Sequence, residues 1–358
     1  MQTSFFEGFK VIELASVLAG PAVGMFFAEM GATVTKIENK QAGGDITRGW
    51  RLENENQEAS ISAYYCAVNY QKNVVFLDLK QQDDRARVYE MVQEADLVIA
   101  NFKKSSARAL GMDYEQLSTL NPRLIYANIS GFGEHNPRVA FDVVLQAESG
   151  FMYMNGQSTS PPTKMPVALI DILAAHQLKE AILIALLQRS KHQKGAYVSV
   201  SLLDAAIASL ANQATNWLMA GQIPVQRGSE HPNIAPYGDL FETADGKWIV
   251  LAIGSDKQFQ KLCAFFGRKN LCNDTRFKNN TNRVQHRQPL YDELCYLIKQ
   301  VDAHELLQYC HQQLIPLGQV RNMQEVFETK AAQNLVLTEQ IEGVLTRRVS
   351  TIAFRFRD

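Results

Sequence analysis

Short apolar runs alternate with helix-like segments from Phe9 to about Gly131 of this 358-residue chain. The segments DDRARVYEMVQEA and YEQLSTL lie between such runs and carry charge on one face, as amphipathic helices do. Strands that alternate with helices are typical of a parallel sheet with crossover helices. We therefore predict an α/β fold with strands in five runs, of which the last three are expected to be buried: FKVIEL, ATVTKIE, VVFLDL, DLVIAN and LIYANIS.

The first strand–helix–strand unit has the layout of a dinucleotide-binding unit without its glycine pattern. The stretch VLAGPAVGMFFAEMGATVTKIE follows the first apolar run and ends in an acidic residue, Glu38. Its glycines, Gly20, Gly24 and Gly31, are not spaced as G-x-G-x-x-G, the pattern that brings backbone against a pyrophosphate. The spacing therefore argues against NAD, and an NAD-dependent dehydrogenase is a distant alternative.

Two long helices are predicted before Gly221. Residues 165–190 are apolar almost all round, so this helix is expected in the interior of the protein. Residues 202–221 form a second helix that the glycine closes. With the preceding strands they make up a predicted large Rossmann-like domain, residues 1–221.

The character of the chain changes after Gly221. A Pro- and Gly-rich loop, IPVQRGSEHPNIAPYG, precedes two strand-like runs that join at Asp245-Gly246, a strong hairpin signal. Helical segments and a strand-like C-terminus follow. We predict a linker with a smaller α+β domain over residues 222–329, and a return to the large domain at about 330–358.

Composition excludes several classes of protein. The net charge of −1 gives a nucleic-acid partner no electrostatic support. The five cysteines form no C-x-x-C pair and the histidines are scattered, so neither a disulfide framework nor a metal site is expected. No signal peptide and no membrane span are recognisable, because charges interrupt the longest apolar stretch. A cytoplasmic protein is the simplest interpretation.

Asp171 interrupts an apolar stretch, MPVALIDILAA, at the predicted start of the first long helix. Aspartate is a preferred N-cap residue, so one interpretation is a helix cap. The other is a nucleophile, because partial desolvation raises the reactivity of a carboxylate while the helix dipole and N–H groups keep it ionised. The residues alone leave both interpretations open.

Other candidate residues carry weaker signals. Asp142, in FDVVLQAESG, fits a cap or surface charge as well as a functional role. His231 lies in the Pro- and Gly-rich loop, where it lines a site or is solvated, and core packing explains His176 best.

Basic residues flank the predicted strand ends. Ligands bind at the carboxyl ends of strands in open α/β sheets, and Lys or Arg there suits a phosphate-bearing ligand. A single such residue is more typical of a solvated surface. Together with Asn101, the set favours a polyphosphate ligand: Lys36, Lys40, Lys72, Lys103, Lys104 and Arg108.

Seven segments together resemble the class III (CaiB/BaiF-type) CoA-transferase family, which includes formyl-CoA transferase and α-methylacyl-CoA racemases. They run in family order over about residues 9–265. The ordered set carries the resemblance: VIELASVLAGPAVGMFFAEMGATVTKIE, NYQKNVVFLDLK, ADLVIANF, LGMDYEQLSTLNPRLIYANISGFG, FDVVLQAESGFMYMNG, GAYVSVSLLDAAIASL and HPNIAPYGDLFETADGKWIVLAIGSDKQF.

The resemblance implies an interlocked homodimer of ring-like subunits, each with a large Rossmann-like domain and a small domain. It also implies that Asp171 is the nucleophile, which forms an anhydride with the acyl group of acyl-CoA and then an aspartyl-CoA thioester. An acceptor carboxylic acid takes the CoA through a second anhydride. CoA is thus a substrate, and no tightly bound cofactor is implied.

The resemblance further implies CoA contacts at Val17, Lys72 and Asn101. Transferases of the family often have arginines near positions 39 and 109, where this chain has Lys40 and Arg108 as adjacent bases. These five residues are the predicted CoA-binding set.

Two alternatives share the scaffold. A racemase requires a base on each face of the α-carbon, and the racemase branch places a His before an Asp where this chain has Phe141-Asp142. A non-catalytic acyl-CoA-binding protein is suggested by Ile170, Ala174 and Ala175, which replace glycines that the family has around its nucleophile. The retained Asp171 argues against that alternative.

Overall fold

The computed structural model describes residues 5–356, which form two compact units. Unit 1 contains residues up to 152, residues 164–223 and residues from 333 onward. Unit 2 contains residues 153–163 and 224–332.

Unit 1 is built on a six-stranded parallel sheet. The strand order is β3-β2-β1-β4-β5-β6, so the direction of winding reverses between β1 and β4. All five predicted runs form strands, which confirms the α/β fold with a central parallel sheet. The predicted burial of VVFLDL is wrong, because β3 lies at the edge of the sheet and its Phe76 is 41% exposed. The strands are β1 Lys10–Glu13, β2 Thr33–Asn39, β3 Lys72–Leu77, β4 Leu97–Ala100, β5 Ile125–Ser130 and β6 Ala196–Ser201.

Strand β6 was not among the predicted runs. Its residues alternate between half-buried and exposed positions up to the buried Ser201, because it lies at the edge of the sheet, paired with β5 alone. It has no continuous apolar run like that of β4, whose four residues are all buried.

Between residues 5 and 221, the structure describes ten α-helices. They are α1 Ala19–Glu29, α2 Ala63–Cys66, α3 Gln82–Gln93, α4 Lys104–Leu110, α5 Tyr114–Leu120, α6 Asp142–Glu148, α7 Phe151–Met154, α8 Leu169–His192, α9 Leu202–Ala208 and α10 Ala211–Ala220. Two 3-10 turns, Lys40–Ala42 and Ile46–Gly49, follow β2.

The predicted helix over residues 202–221 is two helices, α9 and α10. Ala211, the first residue of α10, has φ of +46° and so breaks the helical backbone after α9, and neither glycine nor proline marks the break. The predicted end is correct, since Gly221 closes α10 in the left-handed conformation.

Helix α8 is buried along one face and exposed along the other. Ile170, Leu178 and Ile182 pack into the core of unit 1, whereas Ile184 and Leu187 are 58% and 66% exposed. The prediction that this helix lies inside the protein therefore holds for one face only, and the other face is exposed in this chain.

Unit 2 has a three-stranded antiparallel sheet, with β8 between β7 and β9, packed with helices. The predicted hairpin at Asp245-Gly246 joins β7 and β8. The helices and strands from residue 237 to residue 333 are β7 Tyr237–Glu242, β8 Trp248–Ala252, α11 Asp256–Phe265, α12 Lys269–Asn273, α13 Asn280–Gln285, α14 Arg287–Ile298, α15 Ala303–Gln312, β9 Leu317–Gln319, α16 Met323–Phe327 and α17 Lys330–Gln333.

The C-terminal part of the described chain forms an antiparallel hairpin in unit 1, β10 Val336–Ile341 and β11 Val344–Val349. Beyond it, the backbone N–H and hydroxyl of Thr351 donate to Glu29 of α1, at 3.0 and 3.1 Å. Among residues 5–356, no helix is long and apolar enough to cross a membrane.

Candidate active site

A cavity of about 700 Å³ opens at the carboxyl edge of the parallel sheet. This edge, where the strand order reverses, is where open α/β sheets bind ligands. The loops after β1, β4 and β5 and the start of α8 form its wall. Residues that line it include Ser16, Val17, Leu18, Ala19, Asn101, Phe102, Lys103, Lys104, Ser130, Gly131, His135, Arg138, Phe141, Asp142 and Asp171.

Asp171 lies in the first turn of α8 and is 8% exposed. Burial, and then the negative charge of Asp142, raise the pKa of Asp171 to about 7. The N-cap position of α8 belongs to Ala168 and has no side-chain cap. The structure therefore separates Asp171 from the capping role, and a carboxylate with such a pKa in a cavity is a candidate catalytic group.

Asp142 provides the capping interaction for α8 from another helix. Its Oδ1 accepts a hydrogen bond from the backbone N–H of Ile170 at 2.7 Å. The Gln146 amide donates to Oδ2 of Asp142 at 2.5 Å, and its own oxygen accepts from the N–H of Met165 at 2.8 Å. Asp142 and Gln146 thus hold the segment that carries Asp171.

Tyr64 lies near Asp171 and Asp142 and is not among the predicted site residues. Burial, followed by the charges of Asp171, Asp142 and Asp45, raises the pKa of its phenol. Its ring makes an edge-to-face contact with Trp50 at 4.9 Å between centroids. No local pattern in the sequence marks it, because the chain between β2 and β3 brings it to the site.

Two residues of the predicted CoA-binding set, Val17 and Asn101, line the cavity with Asp171. The Asn101 side chain binds backbone: Nδ2 donates to the Ser16 carbonyl at 3.0 Å, and Oδ1 accepts from the Ser16 N–H at 3.3 Å. In this conformation Asn101 fixes the backbone of Ser16, which itself lines the cavity.

The side chain of Lys72 is fully buried. Its Nζ is 2.7 Å from Glu13, and it donates to the Pro21 carbonyl at 2.8 Å and to Asn69 at 3.2 Å. Burial lowers the pKa of Lys72 to about 8 despite the Glu13 carboxylate. All the contacts described for its ammonium are internal, so this conformation presents no lysine charge to a ligand.

Lys40 and Arg108 lie on the protein surface. Lys40 starts the 3-10 turn after β2, and Arg108, on α4, is 3.6 Å from Glu115. Neither is among the residues that line the cavity, although their neighbours Asn39 and Ala107 line this cavity or a second one. His176 and His231 also line neither cavity.

The second cavity, of about 360 Å³, lies at the same edge of the sheet beside β2 and β3. Ser16 and Phe102 line both cavities, so the two meet at these residues. Its other lining residues include Asn39, Gly44, Asp45, Ile46, Leu77, Asp78, Leu79 and Lys80. Leu79 and Lys80 are not among the predicted site residues, although Leu79 ends the predicted run VVFLDL and Lys80 follows it.

Three comparisons with known proteins identify the same family. The family model described as CoA-transferase family III matches residues 6–357. The chain is 38% identical to a succinate–glutarate CoA-transferase of Agrobacterium fabrum, over 94% of this chain and 85% of that protein. It is 34% identical to an acetyl-CoA:oxalate CoA-transferase of Acetobacter aceti, over 93% of this chain and 85% of that protein.

Solved structures show the same fold. A CaiB/BaiF family protein from Brucella suis matches with a TM-score of 0.87 and 35% identity, over 100% of this chain and 94% of that one. The Rv3272 protein from Mycobacterium tuberculosis matches with a TM-score of 0.83 and 27% identity, over 98% and 92%. With a family match along nearly the whole chain and named transferases at this identity, the protein belongs to CoA-transferase family III and is a CoA-transferase.

Proposed function

We propose that this enzyme transfers CoA by covalent catalysis at Asp171. The Asp171 carboxylate attacks the thioester carbonyl of the donor, the C–S bond breaks, and CoA leaves as a thiolate. The thiolate then attacks the aspartyl carbonyl of the mixed anhydride, which releases the donor acid and leaves an aspartyl-CoA thioester. The acceptor carboxylate attacks that thioester, and the released CoA thiolate attacks the acyl carbonyl of the second anhydride, which regenerates Asp171.

The observation that carries this proposal is the burial of Asp171 in the wall of the larger cavity, with its pKa raised to about 7. An anhydride survives only where water is excluded, and a buried helix start supplies that protection. A poorly solvated carboxylate is also a stronger nucleophile than a hydrated one. The same burial therefore serves both requirements.

The two joined cavities support an extended ligand. We place the thioester of acyl-CoA in the larger cavity near Asp171 and the nucleotide end in the smaller one, with the pantetheine passing Ser16 and Phe102. Lys80 lines the smaller cavity, and Lys40 follows the lining residue Asn39. Val17 and Asn101 then contact the thioester arm, Arg108 provides charge from the surface, and Lys72 supports the site from within.

Dicarboxylic acids are the proposed acceptors and acyl groups. The named relatives act on succinate, glutarate and oxalate. The larger cavity contains basic side chains suited to a second carboxylate: Lys103, Lys104, His135 and Arg138. No tightly bound cofactor is proposed, because carboxylate chemistry requires none.

An interlocked homodimer in the cytoplasm is the proposed assembly. Besides Ile184 and Leu187 of α8, Leu218 and Met219 of α10 are 77% and 82% exposed. Apolar surface of this extent on two helices suits a subunit interface. Units 1 and 2 correspond in this proposal to the large and small domains of the family.

The test is to trap the covalent intermediate. Wild-type enzyme treated with succinyl-CoA should carry a hydroxylamine-sensitive adduct on Asp171 by mass spectrometry. Asp171→Asn should show neither adduct nor transfer, while Glu180→Gln, an exposed carboxylate on the same helix, should show both. Full transfer by Asp171→Asn would refute the assignment.

A further inference from the structure

Val17, in the loop between β1 and α1, has a strained backbone. Its φ is +74°, a left-handed conformation that β-branched residues rarely adopt. Its backbone N–H donates to the Asp45 carboxylate, at 3.1 Å to Oδ2 and 3.4 Å to Oδ1. Such strain persists where surrounding interactions over-determine the conformation, and it is concentrated at functional sites.

The residues before Val17 are held as well. Lys36 Nζ, from β2, donates to the Ala15 carbonyl at 2.9 Å. Asn101 binds both polar backbone atoms of Ser16, as described above. Every polar backbone atom from the Ala15 carbonyl to the Val17 N–H is therefore bound by a side chain from another part of the sheet edge.

Asp45 is itself fixed by a buried cation. Its Oδ2 is 3.1 Å from Lys36 Nζ, and both side chains are at most 1% exposed. The N–H and hydroxyl of Thr47 donate to Oδ1 at 3.1 and 2.9 Å. Burial raises the pKa of Asp45, but the Lys36 charge and the Thr47 hydrogen bonds outweigh it and hold the pKa below its usual value.

We propose that Asp45, held by Lys36, is a positioning residue that keeps Val17 in its left-handed conformation, so that the loop presents the cavity wall against which acyl-CoA meets Asp171. This proposal rests on the proposed function for its effect on catalysis. Its structural part, the constraint on Val17, stands independently of that function.

The first experiment compares two Asp→Asn variants. Asp96 is chemically matched to Asp45, since it accepts a backbone N–H, that of Lys10 at 3.0 Å, and pairs with a cation, Arg189, at 3.0 Å. It precedes β4, at the opposite edge of the sheet from the cavities. We expect Asp45→Asn to lower kcat/KM for transfer by about tenfold or more, and Asp96→Asn to leave it within about threefold.

Glycine at position 17 provides the decisive control, because Asp45 also lines the smaller cavity and a direct contact with CoA would produce the same loss. Glycine adopts positive φ without strain. If Asp45 acts by holding Val17, Val17→Gly should recover a substantial part of the kcat/KM lost in Asp45→Asn. If the two substitutions act independently, the loss of kcat/KM in the double variant Asp45→Asn with Val17→Gly equals the product of the two single losses. That result would overturn the proposal.

Hydrogen exchange separates this proposal from the proposed function. Amide exchange of the loop at residues 15–18 should accelerate about tenfold or more in Asp45→Asn and not in Asp96→Asn. If Asp45→Asn does not fold, Asp45→Glu keeps the charge for Lys36 while moving the acceptor, and should show the same exchange. Unchanged loop exchange in a folded Asp45 variant would overturn the proposal, even in an enzyme that shows no transfer.

Discussion

The Asp142 carboxylate accepts a hydrogen bond at 2.7 Å from the backbone N–H of Ile170, the residue before Asp171. One acid therefore fixes the helix start that carries the other. Burial and the negative charge of Asp142 together raise the pKa of Asp171 to about 7. Two carboxylates with different environments thus take different roles, as acid pairs in enzymes often do.

This relationship predicts the pH dependence of transfer. The nucleophile is the ionised form of Asp171, so kcat should rise with pH through about 7. Asp142→Asn removes the neighbouring charge and keeps an oxygen for the Ile170 N–H, so the acidic limb of the profile should move to lower pH. Glu180→Gln should leave the limb in place. An unmoved limb in a folded, active Asp142→Asn would contradict the electrostatic role.

Asp171 should also make stability depend on pH. Its pKa in the folded protein lies above the unfolded value, so the folded state retains a proton that the unfolded chain releases between about pH 4 and 7. Stability from this group is present at low pH and is lost as pH rises through about 7. Asp171→Asn does not undergo this loss. The difference in free energy of unfolding between Asp171→Asn and the wild type should therefore shift in favour of the variant by up to roughly 4 kcal/mol from pH 4 to pH 8. Urea unfolding at both pH values, at one protein concentration, measures the difference.

Gly24 of α1 allows the buried Glu13 to approach the helix. A Cβ at this position would lie 1.8 Å from Glu13 Oε2, which pairs with Lys72. Gly24→Ala should destabilise the protein by about 2–4 kcal/mol, because it displaces a buried, paired carboxylate despite the better helix propensity. Gly49→Ala meets no atom within 4 Å and should stay within about 0.5 kcal/mol. Equal thermal stability of the two variants would show that Glu13 relaxes freely.

Transfer should proceed without racemisation. Phe141 lies in the cavity wall beside Asp142, and its side chain has no acid or base group that could exchange a proton with the α-carbon. In D₂O, 2-methylacyl-CoA incubated with the enzyme should gain no deuterium at the α-carbon when no acceptor acid is present. Rapid incorporation that Asp171→Asn abolishes would instead identify a racemase.

The proposed interlocked dimer should persist on dilution. Threaded subunits separate only by unfolding, whereas a simple interface dissociates by mass action. Analytical ultracentrifugation over a wide concentration range should show one dimeric species. Folded monomers at low concentration, with native circular dichroism, would exclude interlocking.

Much of the large sheet follows from local sequence. Strands β1 to β5 are short apolar runs, and the composition and spacing of each run are enough to predict a strand. Burial is not set locally, since β3 lies at the edge of the sheet and is only partly buried. Helix α5 follows the predicted segment from Tyr114 to Leu120, since Asp113 caps it by accepting from the Gln116 N–H. The turn at Asp245-Gly246 is equally local, because backbone preference at two residues sets it.

The tertiary structure alone decided which polar residues serve the site. Lys72 and Lys36 resemble surface lysines in sequence, yet the side chains of both are buried and pair with Glu13 of β1. Asp171 was marked by its apolar neighbours, but its separation from the capping role depends on Asp142, 29 positions earlier in the sequence. The break at Ala211 likewise has no local signal. Charge burial, and with it pKa and hydrogen bonding, depends on groups that only the folded chain brings together, so the sequence pattern determined the scaffold and tertiary contacts decided the chemistry.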